Sequence, residues 1–372
     1  MIGNKSLVLF KLLIFYQNAC QGFESLSLKI LQYNVQAVRS PWSQYKTERM
    51  QALAQRIKDR NPYFDILTLN ELWHQTDHNL IQQAAQQAGL YMTGFHELNR
   101  WRCIGSSAPV ACSGLAIVSA YPFKQSYFTE FRDKGTFFGM FSGDWELYWA
   151  KGIGRVRIEP VANLTIDIFT THTRDNYWSS GNAIRSNQIE QLNEEISTST
   201  ADVVILGGDL NTEPNTKLLS YKNLANYLTN SADERSSQGW QVPATYGNPN
   251  NYFSKNKKPQ IIDYIFYRSF SNDLEVKTEK YLPLNFVVGM NKGCEHECNV
   301  NVIAPTCSKV CHPNEIPLSD HEPIMVIIQI KNITNQVGRL MYNSFQNRKR
   351  INDLQERVED LESMAFDRLS RP

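Results

Sequence analysis

The sequence lacks an excess of either charge. It carries 38 Lys and Arg against 37 Asp and Glu in 372 residues, a formal net charge of +1. Dedicated duplex-DNA binders usually show a clear basic excess, so this balance argues against that class. The balance still allows an enzyme that binds a phosphate group at a single site. Apolar residues are 42 % and charged residues 20 % of the chain, which is typical of a globular protein with a full core.

The sequence also lacks an internal repeat, a low-complexity linker and, beyond its N-terminus, any long hydrophobic run. The N-terminal run SLVLFKLLIFY follows Lys5, is interrupted by Lys11 and is followed by small residues up to Gly22. It is far shorter than the ~20 residues needed to span a bilayer. This order predicts a secretory signal peptide over residues 1–22 and a secreted, extracellular protein. The alternative is a buried N-terminal helix or strand.

Cysteine is scarce, and six of the seven residues remain after the predicted cleavage. An even number fits a set of disulfides in an oxidising compartment. Cys103 and Cys112 flank a short loop. The other four have the spacing C-x3-C-x8-C-x3-C and are Cys294, Cys298, Cys307 and Cys311. A zinc site that includes His296 and His312 is the alternative for that cluster, and the secreted context favours disulfides. Sequons at Asn163 and Asn332 are compatible with glycosylation in the same compartment.

Strand-like and helical segments alternate between residues 28 and 330. Apolar spacing predicts helices over 43–61, 78–91 and 182–198, with short β-branched runs between them. Such a mixture favours an α+β fold in which stacked sheets carry helices outside. Residues 335–372 keep an a/d pattern for about two heptads, which predicts a helical tail that packs on the body or frays in solvent. A weak homodimer through the tail is the alternative.

Six predicted strand edges carry polar side chains that can hold a metal ion, a proton or a phosphate. Side chains at the ends of strands in a rigid sheet are held in fixed positions, as catalytic groups require. The oxygen donors among these residues suit Mg²⁺, and the two histidines suit proton transfer near neutral pH. Together they predict cleavage of a phosphate ester by a metal ion and a His–Asp pair that activates water. The residues are Asn34, Glu71, His172, Asp209, Asn211, Asp263, Asp320 and His321. Their neighbour Glu322 is expected in solvent.

The order of these motifs resembles the DNase I-like endonuclease/exonuclease/phosphatase superfamily. Asn-Glu at 70–71, GDLN at 208–211, IDY at 262–264 and SDH at 319–321 carry the resemblance. Within that superfamily the chain is most similar to neutral sphingomyelinases, because TLNELW, WAKGIGRVRIEP and PQIIDYIFY resemble their versions. The resemblance implies a four-layer α/β/β/α sandwich over residues 23–334. The Cys-rich insertion at 291–313 is not a feature of the family core and lies just before the SDH loop.

The resemblance also implies a metal centre and a base. Glu71, with Asn34 and Asp320 beside it, would hold Mg²⁺. His321 would be the general base, kept in its tautomer by Asp263.

The remaining site residues would act on the water and the phosphate. Asp209 would position the attacking water, and Asn211 would contact the phosphate. His172 would bind a phosphoryl oxygen or assist the leaving group. Lys151 would add positive charge near the headgroup.

The implied activity is that of a secreted, Mg²⁺-dependent phospholipase C-type hydrolase that cleaves sphingomyelin to ceramide and phosphocholine. Its partner would be membrane lipid at the bilayer surface, with no stable nucleic-acid partner. Aromatic segments at 136–149 and 281–290 are candidates for membrane contact, and core packing is their alternative. A secreted DNase I-like nuclease is the alternative within the fold. An inactive binding module is a third hypothesis, against which the intact set of acids and histidines argues.

Overall fold

The computed structural model describes most of the chain between residues 23 and 334. Described are residues 23–38, 43–93, 95, 113–135, 149–175, 181–239, 241–254, 256–289, 294–299, 306–311, 315–334, 344, 347–348, 350–351 and 354–355. The predicted signal peptide, Cys103, Cys112 and the aromatic segment 136–148 lie outside them, as does most of the predicted tail.

The chain divides into two compact units. The larger comprises residues 27–271 and 276–329 and holds all the candidate catalytic residues. The smaller comprises residues 1–26, 272–275 and 330–372; within it the amide of Ile333 donates to the carbonyl of Asp273 at 2.9 Å. Ile351 and Leu354, which follow the predicted a/d spacing, are 55 % and 54 % exposed.

The described residues form helices at five places. These are α1 (Lys46–Lys58), α2 (Gln75–Gln87), α3 (Gly181–Ser197), α4 (Leu219–Tyr227) and α5 (Ser231–Ser237). The first three are the helices predicted from apolar spacing, with ends that differ by one to four residues, the usual uncertainty of helix boundaries. Helices α4 and α5 have only nine and seven residues, too few for a periodic pattern to stand out. No described helix is long and apolar enough to cross a bilayer.

Two six-stranded mixed sheets form the body. The first has the order β11-β16-β1-β2-β4-β3 and the second β5-β6-β7-β8-β10-β9. The strands of the first are β1 (Ser25–Asn34), β2 (Ile66–Asn70), β3 (Tyr91–Met92), β4 (Ala116–Ser119), β11 (Leu274–Pro283) and β16 (Ile324–Asn332). Those of the second are β5 (Phe123–Glu130), β6 (Gly152–Val161), β7 (Leu164–His172), β8 (Val203–Asp209), β9 (Thr229–Asn230) and β10 (Asp263–Ser269).

Helices cover the outer face of each sheet. Leu53 of α1 and Ile81 of α2 belong to one buried cluster with Leu67 of β2. Leu192 of α3 belongs to a second cluster with Leu206 of β8. Because alternate residues of a strand point to opposite faces, their sequence neighbours on these strands lie between the sheets. The predicted α/β/β/α layering is therefore present.

Two consecutive glycines let the layers approach closely next to the site. A Cβ on Gly207 would collide with the side chain of Thr68 on the facing sheet. A Cβ on Gly208 would collide with the carbonyl oxygen of Thr171 on the neighbouring strand. Only glycine fits at either position without a shift of the surroundings. The GGD segment thus carries Asp209 into a space too narrow for side chains on the preceding two residues.

Strand register brings the candidate residues to one end of the molecule. In the parallel pair β1–β2, Asn34 lies opposite Asn70. In the parallel pair β7–β8, His172 lies opposite Asp209, and the antiparallel β10 places Asp263 opposite the same Asp209.

The predicted Cys-rich insertion forms a two-stranded ladder of its own. Strands β13 (Cys294–Asn299) and β14 (Thr306–Cys311) pair antiparallel. They are preceded by β12 (Val287–Gly289) and followed by β15 (Glu315–Pro317), which also pair with each other. Strand β15 leads directly into the loop that carries Asp320 and His321.

Candidate active site

Asn34 and Glu71 come from adjacent strand ends of the first sheet. Glu71 follows β2 with a φ of 61°, a left-handed conformation that non-glycine residues adopt at a cost. The Asn34 Nδ2 donates to Glu71 Oε1 at 3.0 Å and to Asp209 Oδ2 at 2.9 Å. Its Oδ1 accepts the backbone N–H of Gln36 at 3.1 Å, which decides the orientation of the amide. Asn34 therefore orients the acids as a donor in this structure, and its role as a metal ligand stays a prediction.

Glu71 and Asp320 supply two carboxylates that could hold a divalent cation, and the charge of Asp320 acts on Glu71. Burial, followed by the charge of Asp320, raises the pKa of Glu71, while the hydrogen bond from Asn34 opposes the rise. A cation next to the two carboxylates would stabilise the ionised form of Glu71. Asp320 keeps 17 % of its side chain exposed, so waters can complete a coordination shell. Oxygen ligands with retained waters are what Mg²⁺ prefers, and these residues fit that ion.

His321 and Asp263 form a buried dyad. The Nδ1 of His321 lies 2.8 Å from Asp263 Oδ2, and its Nε2 lies 3.7 Å from Asp209 Oδ2. Potential ligand atoms of these three residues all lie within 4.8 Å of one another, so they too could hold a cation. A carboxylate at Nδ1 keeps the proton there and directs Nε2 toward the centre of the site.

The charges around the dyad shift the pKa values of His321 and of the neighbouring Asp209. Burial lowers the pKa of His321, but the carboxylates of Asp263, Asp320 and Asp209 outweigh burial and hold it well above the usual value. Burial, followed by the charge of Asp263, raises the pKa of Asp209 to about 7. Strongly shifted groups of this kind cluster at functional sites.

His172, Lys151 and Asn211 form the opposite wall. The Nε2 of His172 lies 3.1 Å from Asn211 Nδ2 and 3.4 Å from Lys151 Nζ. Burial, followed by the positive charges of Lys151 and His321, holds the pKa of His172 well below its usual value. A neutral imidazole with two nitrogen donors at Nε2 accepts there, so His172 orients Lys151 and Asn211. Both also donate to the carbonyl of Thr173, each at 3.1 Å.

Three aromatic residues near the site were not predicted from the sequence. The ring of Trp73 lies 6.0 Å from that of His172 and 4.7 Å from that of Trp149, and Lys151 Nζ lies 5.5 Å from the Trp149 ring. Tyr246 packs on His321 with ring centroids 4.9 Å apart. Their proximity to site residues in TLNELW and WAKG was the only signal for the two tryptophans. Tyr246 lies 75 positions before His321 and gave none.

Arg49 was also missed by the sequence analysis. Its side chain joins the loop after β1 to the segment before Asp320. All five of its N–H groups donate: Nε to Gln44 O, Nη1 to Val35 O and Leu318 O, and Nη2 to Gln36 O and Ser43 Oγ. The side chain is fully buried. Arg49 thus holds the residues after Asn34 next to those before Asp320.

The expectation for Glu322 is wrong. Its side chain is only 9 % exposed, and it accepts from Asn251 Nδ2 at 3.2 Å and from Asn248 Nδ2 at 3.4 Å. Burial raises the pKa of Glu322, and these amides partly offset the rise. Glu322 is therefore a structural support of the loop that carries His321.

A model of the endonuclease/exonuclease/phosphatase family matches residues 31–321, from β1 to His321. The chain belongs to that family. The predicted superfamily is thereby confirmed, and the two helix-covered sheets are its DNase I-like fold.

The chain is similar to sphingomyelinases and to TDP2. Mouse sphingomyelin phosphodiesterase 2 is 25 % identical over 196 residues, which cover 51 % of this chain and 43 % of the mouse protein. This chain spans about half the length of the curated relatives it matches. The structure of sphingomyelinase C from Streptomyces griseocarneus aligns with a TM-score of 0.53 at 15 % identity, covering 81 % of this chain and 99 % of that one. Humanized D. rerio TDP2 aligns with a TM-score of 0.57 at 13 % identity over 81 % and 98 %.

Proposed function

We propose that the protein is a Mg²⁺-dependent phospholipase C-type hydrolase that cleaves sphingomyelin to ceramide and phosphocholine at a membrane surface outside the cell. The observation that carries the hydrolytic part is the buried His321–Asp263 dyad, with Nε2 facing Asp209 and the Glu71–Asp320 pair. The similarity to sphingomyelinases in sequence and motif supports the choice of lipid. The N-terminal apolar segment supports secretion.

In the proposed reaction His321 acts in its neutral form, which a cation held by the neighbouring acids would favour. The oxygen of a water bonds to phosphorus and its proton goes to Nε2 of His321. Asp263 holds the proton on Nδ1 and stabilises the imidazolium that forms. Asp209 accepts a hydrogen bond from the same water and so sets its direction. The bond between phosphorus and the ceramide oxygen breaks, and that oxygen takes up a proton as ceramide leaves.

Lys151 and Asn211 would donate to the phosphoryl oxygens from the wall opposite the dyad. Fixed N–H donors aimed at oxygens where charge develops stabilise the transition state. His172 would keep both donors in place through its neutral Nε2. Mg²⁺ bound by Glu71 and Asp320 would act as a Lewis acid on the phosphate.

Hydrolysis of vesicles and of DNA by the same preparation tests the proposal. The full chain is incubated with sphingomyelin vesicles, phosphatidylcholine vesicles and plasmid DNA, each with Mg²⁺ and with EDTA. His321→Asn is the inactive variant, and Glu194→Gln, at an exposed position on α3, is the matched control. We expect Mg²⁺-dependent release of phosphocholine from sphingomyelin by the wild type and Glu194→Gln alone.

The other results are equally decisive. Nicked plasmid with intact vesicles would overturn the lipid substrate, keep the catalytic site and identify a nuclease. Inactivity on all three substrates, with Mg²⁺ binding and folding intact, would overturn the hydrolase and favour a binding module.

A further inference from the structure

Four cysteines lie outside the active site in the ladder of β13 and β14. In its register the Cα of Cys294 is opposite that of Cys311, and the Cα of Cys298 is opposite that of Cys307. The equal C-x3-C spacing on both strands therefore produces two rungs of facing cysteines. Positions 294 and 298 are an even number apart, so both rungs lie on one face of the ladder.

The backbone geometry of such rungs suits disulfides. Residues directly opposite in an antiparallel ladder have Cα atoms about 4.5 or 5.5 Å apart, depending on the hydrogen-bonding pattern. Disulfides span Cα distances of about 4.4 to 6.8 Å. We propose that Cys294 is bridged to Cys311 and Cys298 to Cys307. This inference rests on the secretion included in the proposed function and is independent of the proposed catalysis.

The two other pairings do not fit the ladder. Cys294 and Cys298 are four residues apart on one strand, a separation of about 13 Å, and the same holds for Cys307 and Cys311. The crossed pairing would join each cysteine to one four positions along the opposite strand, which is farther still. Both distances exceed the reach of a disulfide.

The ladder also excludes one zinc ion bound by all four cysteines. Zinc holds thiolates at about 2.3 Å, so its ligand sulfurs lie within about 4 Å of one another. Two rungs about 13 Å apart cannot meet that requirement. His296 occupies the position between the rungs, opposite Lys309. Among the described residues of the insertion, a metal site could thus draw on one rung and His296, and would leave the other rung outside it.

Each bridge forms by exchange with a disulfide of the folding compartment. One thiolate attacks that disulfide and releases its first thiol. The facing thiolate then attacks the mixed disulfide and releases the second thiol. The two cysteines are oxidised by two electrons, the incoming disulfide is reduced to two thiols, and the two protons end on those thiols.

Digestion with two proteases reveals which cysteines are bridged, because the two enzymes cut the chain between the cysteines. Trypsin cleaves after Lys292 and Lys309, and a Glu-specific protease cleaves after Glu295, Glu297 and Glu315. The full chain is secreted from a eukaryotic host, denatured with N-ethylmaleimide to block free thiols, digested at mildly acidic pH without reductant, and analysed by mass spectrometry.

The proposed bridges predict two separate species. Peptide 293–295 is linked to peptide 310–315, and peptide 298–309 carries an internal bridge and is two hydrogens lighter than its reduced form. Either other pairing joins all three peptides into one species, which would overturn the proposal. Labelling of all four cysteines would overturn it in favour of thiols or a metal site.

Single substitutions control for exchange of disulfides between cysteines during the preparation. In Cys294→Ser we expect one labelled thiol, at Cys311, with the internal bridge of peptide 298–309 unchanged. In Cys298→Ser we expect one labelled thiol, at Cys307, with the other linked pair unchanged. A new pairing between the remaining three cysteines in either variant would show that the register does not determine the bridges.

Discussion

His321 and Asp263 meet across the two sheets, with Nδ1 2.8 Å from Oδ2. Asp263 opens β10 of the second sheet, and His321 precedes β16 of the first. The donor and acceptor of the dyad are 58 positions apart in the chain. The packing of one sheet on the other therefore creates the base of the proposed reaction.

Asp263→Asn is expected to lower kcat about 10³-fold, because an amide no longer fixes the tautomer or stabilises the imidazolium. KM for the lipid should change little, since Asp263 does not face the substrate. Initial rates of phosphocholine release over a range of lipid concentrations give both constants. Asp233→Asn, at an exposed position on α5, should behave as wild type. A kcat within threefold of wild type in Asp263→Asn would contradict this role.

Glu71→Gln is expected to raise the Kd for Mg²⁺ at least about tenfold, because it removes one full charge from the pair that fits the ion. Isothermal titration with Mg²⁺ measures this without any substrate. Glu213→Gln, a partly exposed acid after the GDLN segment, is the control and should bind as wild type. An unchanged Kd in Glu71→Gln would place the ion elsewhere, for example at the Asp209–Asp263–His321 cluster.

Arg49→Lys is expected to lower the free energy of unfolding by about 3 kcal/mol, although it keeps the charge. A lysine offers three donors where the guanidinium satisfies five acceptors, so buried carbonyls lose their partners. Urea unfolding followed by circular dichroism gives the difference. Arg132→Lys, whose side chain is 67 % exposed, is the matched control and should change stability by less than about 0.5 kcal/mol.

Asp167→Asn is expected to destabilise the protein in a pH-dependent way. Burial raises the pKa of Asp167, but hydrogen bonds from Arg157 and Ser199 and the charge of Arg155 outweigh it and hold the pKa below its ordinary value of 3.8. The ionised form therefore stabilises the fold above that value, and this contribution disappears as the pH falls through the folded pKa.

At pH 7 we expect Asp167→Asn to cost about 3 kcal/mol, because two arginines lose a buried partner. The gap to wild type should narrow as unfolding is measured at successively lower pH below 4. Asp59→Asn, at an exposed position after α1, controls for the general loss of an acid. A gap that stays constant down to pH 2 would show that charge is not the source of the stabilisation.

The acids and histidines of the site could be predicted because each stands where a β-branched run begins or stops. Asp209 and His172 end buried strands, and the sequence shows both strand and end. The fold followed from the order of those segments and from family resemblance. Glu71 could be located in the same way, but its left-handed backbone could not, because neither neighbour is glycine.

The residues that sequence reasoning missed or misjudged act through distant contacts. Arg49 donates to Leu318, 269 positions away, and no local pattern signals such a bond. Glu322 looked like a loop residue in solvent, yet Asn251, 71 positions earlier, covers it. The orientation of Asn34 depends on one backbone N–H, that of Gln36. Apolar periodicity carries information on strands and their ends, and none on which loops fold over them.

Because the site lies between the two sheets, catalytic activity reports whether the sheets have docked. Asn34 donates to Glu71 on its own sheet and to Asp209 on the other. In a folding intermediate, the first sheet alone would hold His321 and the Glu71–Asp320 pair, and the second sheet alone would hold Asp263 and the phosphate wall. Recovery of catalysis during refolding would consequently time the docking of the two halves, later than any signal from strand or helix formation.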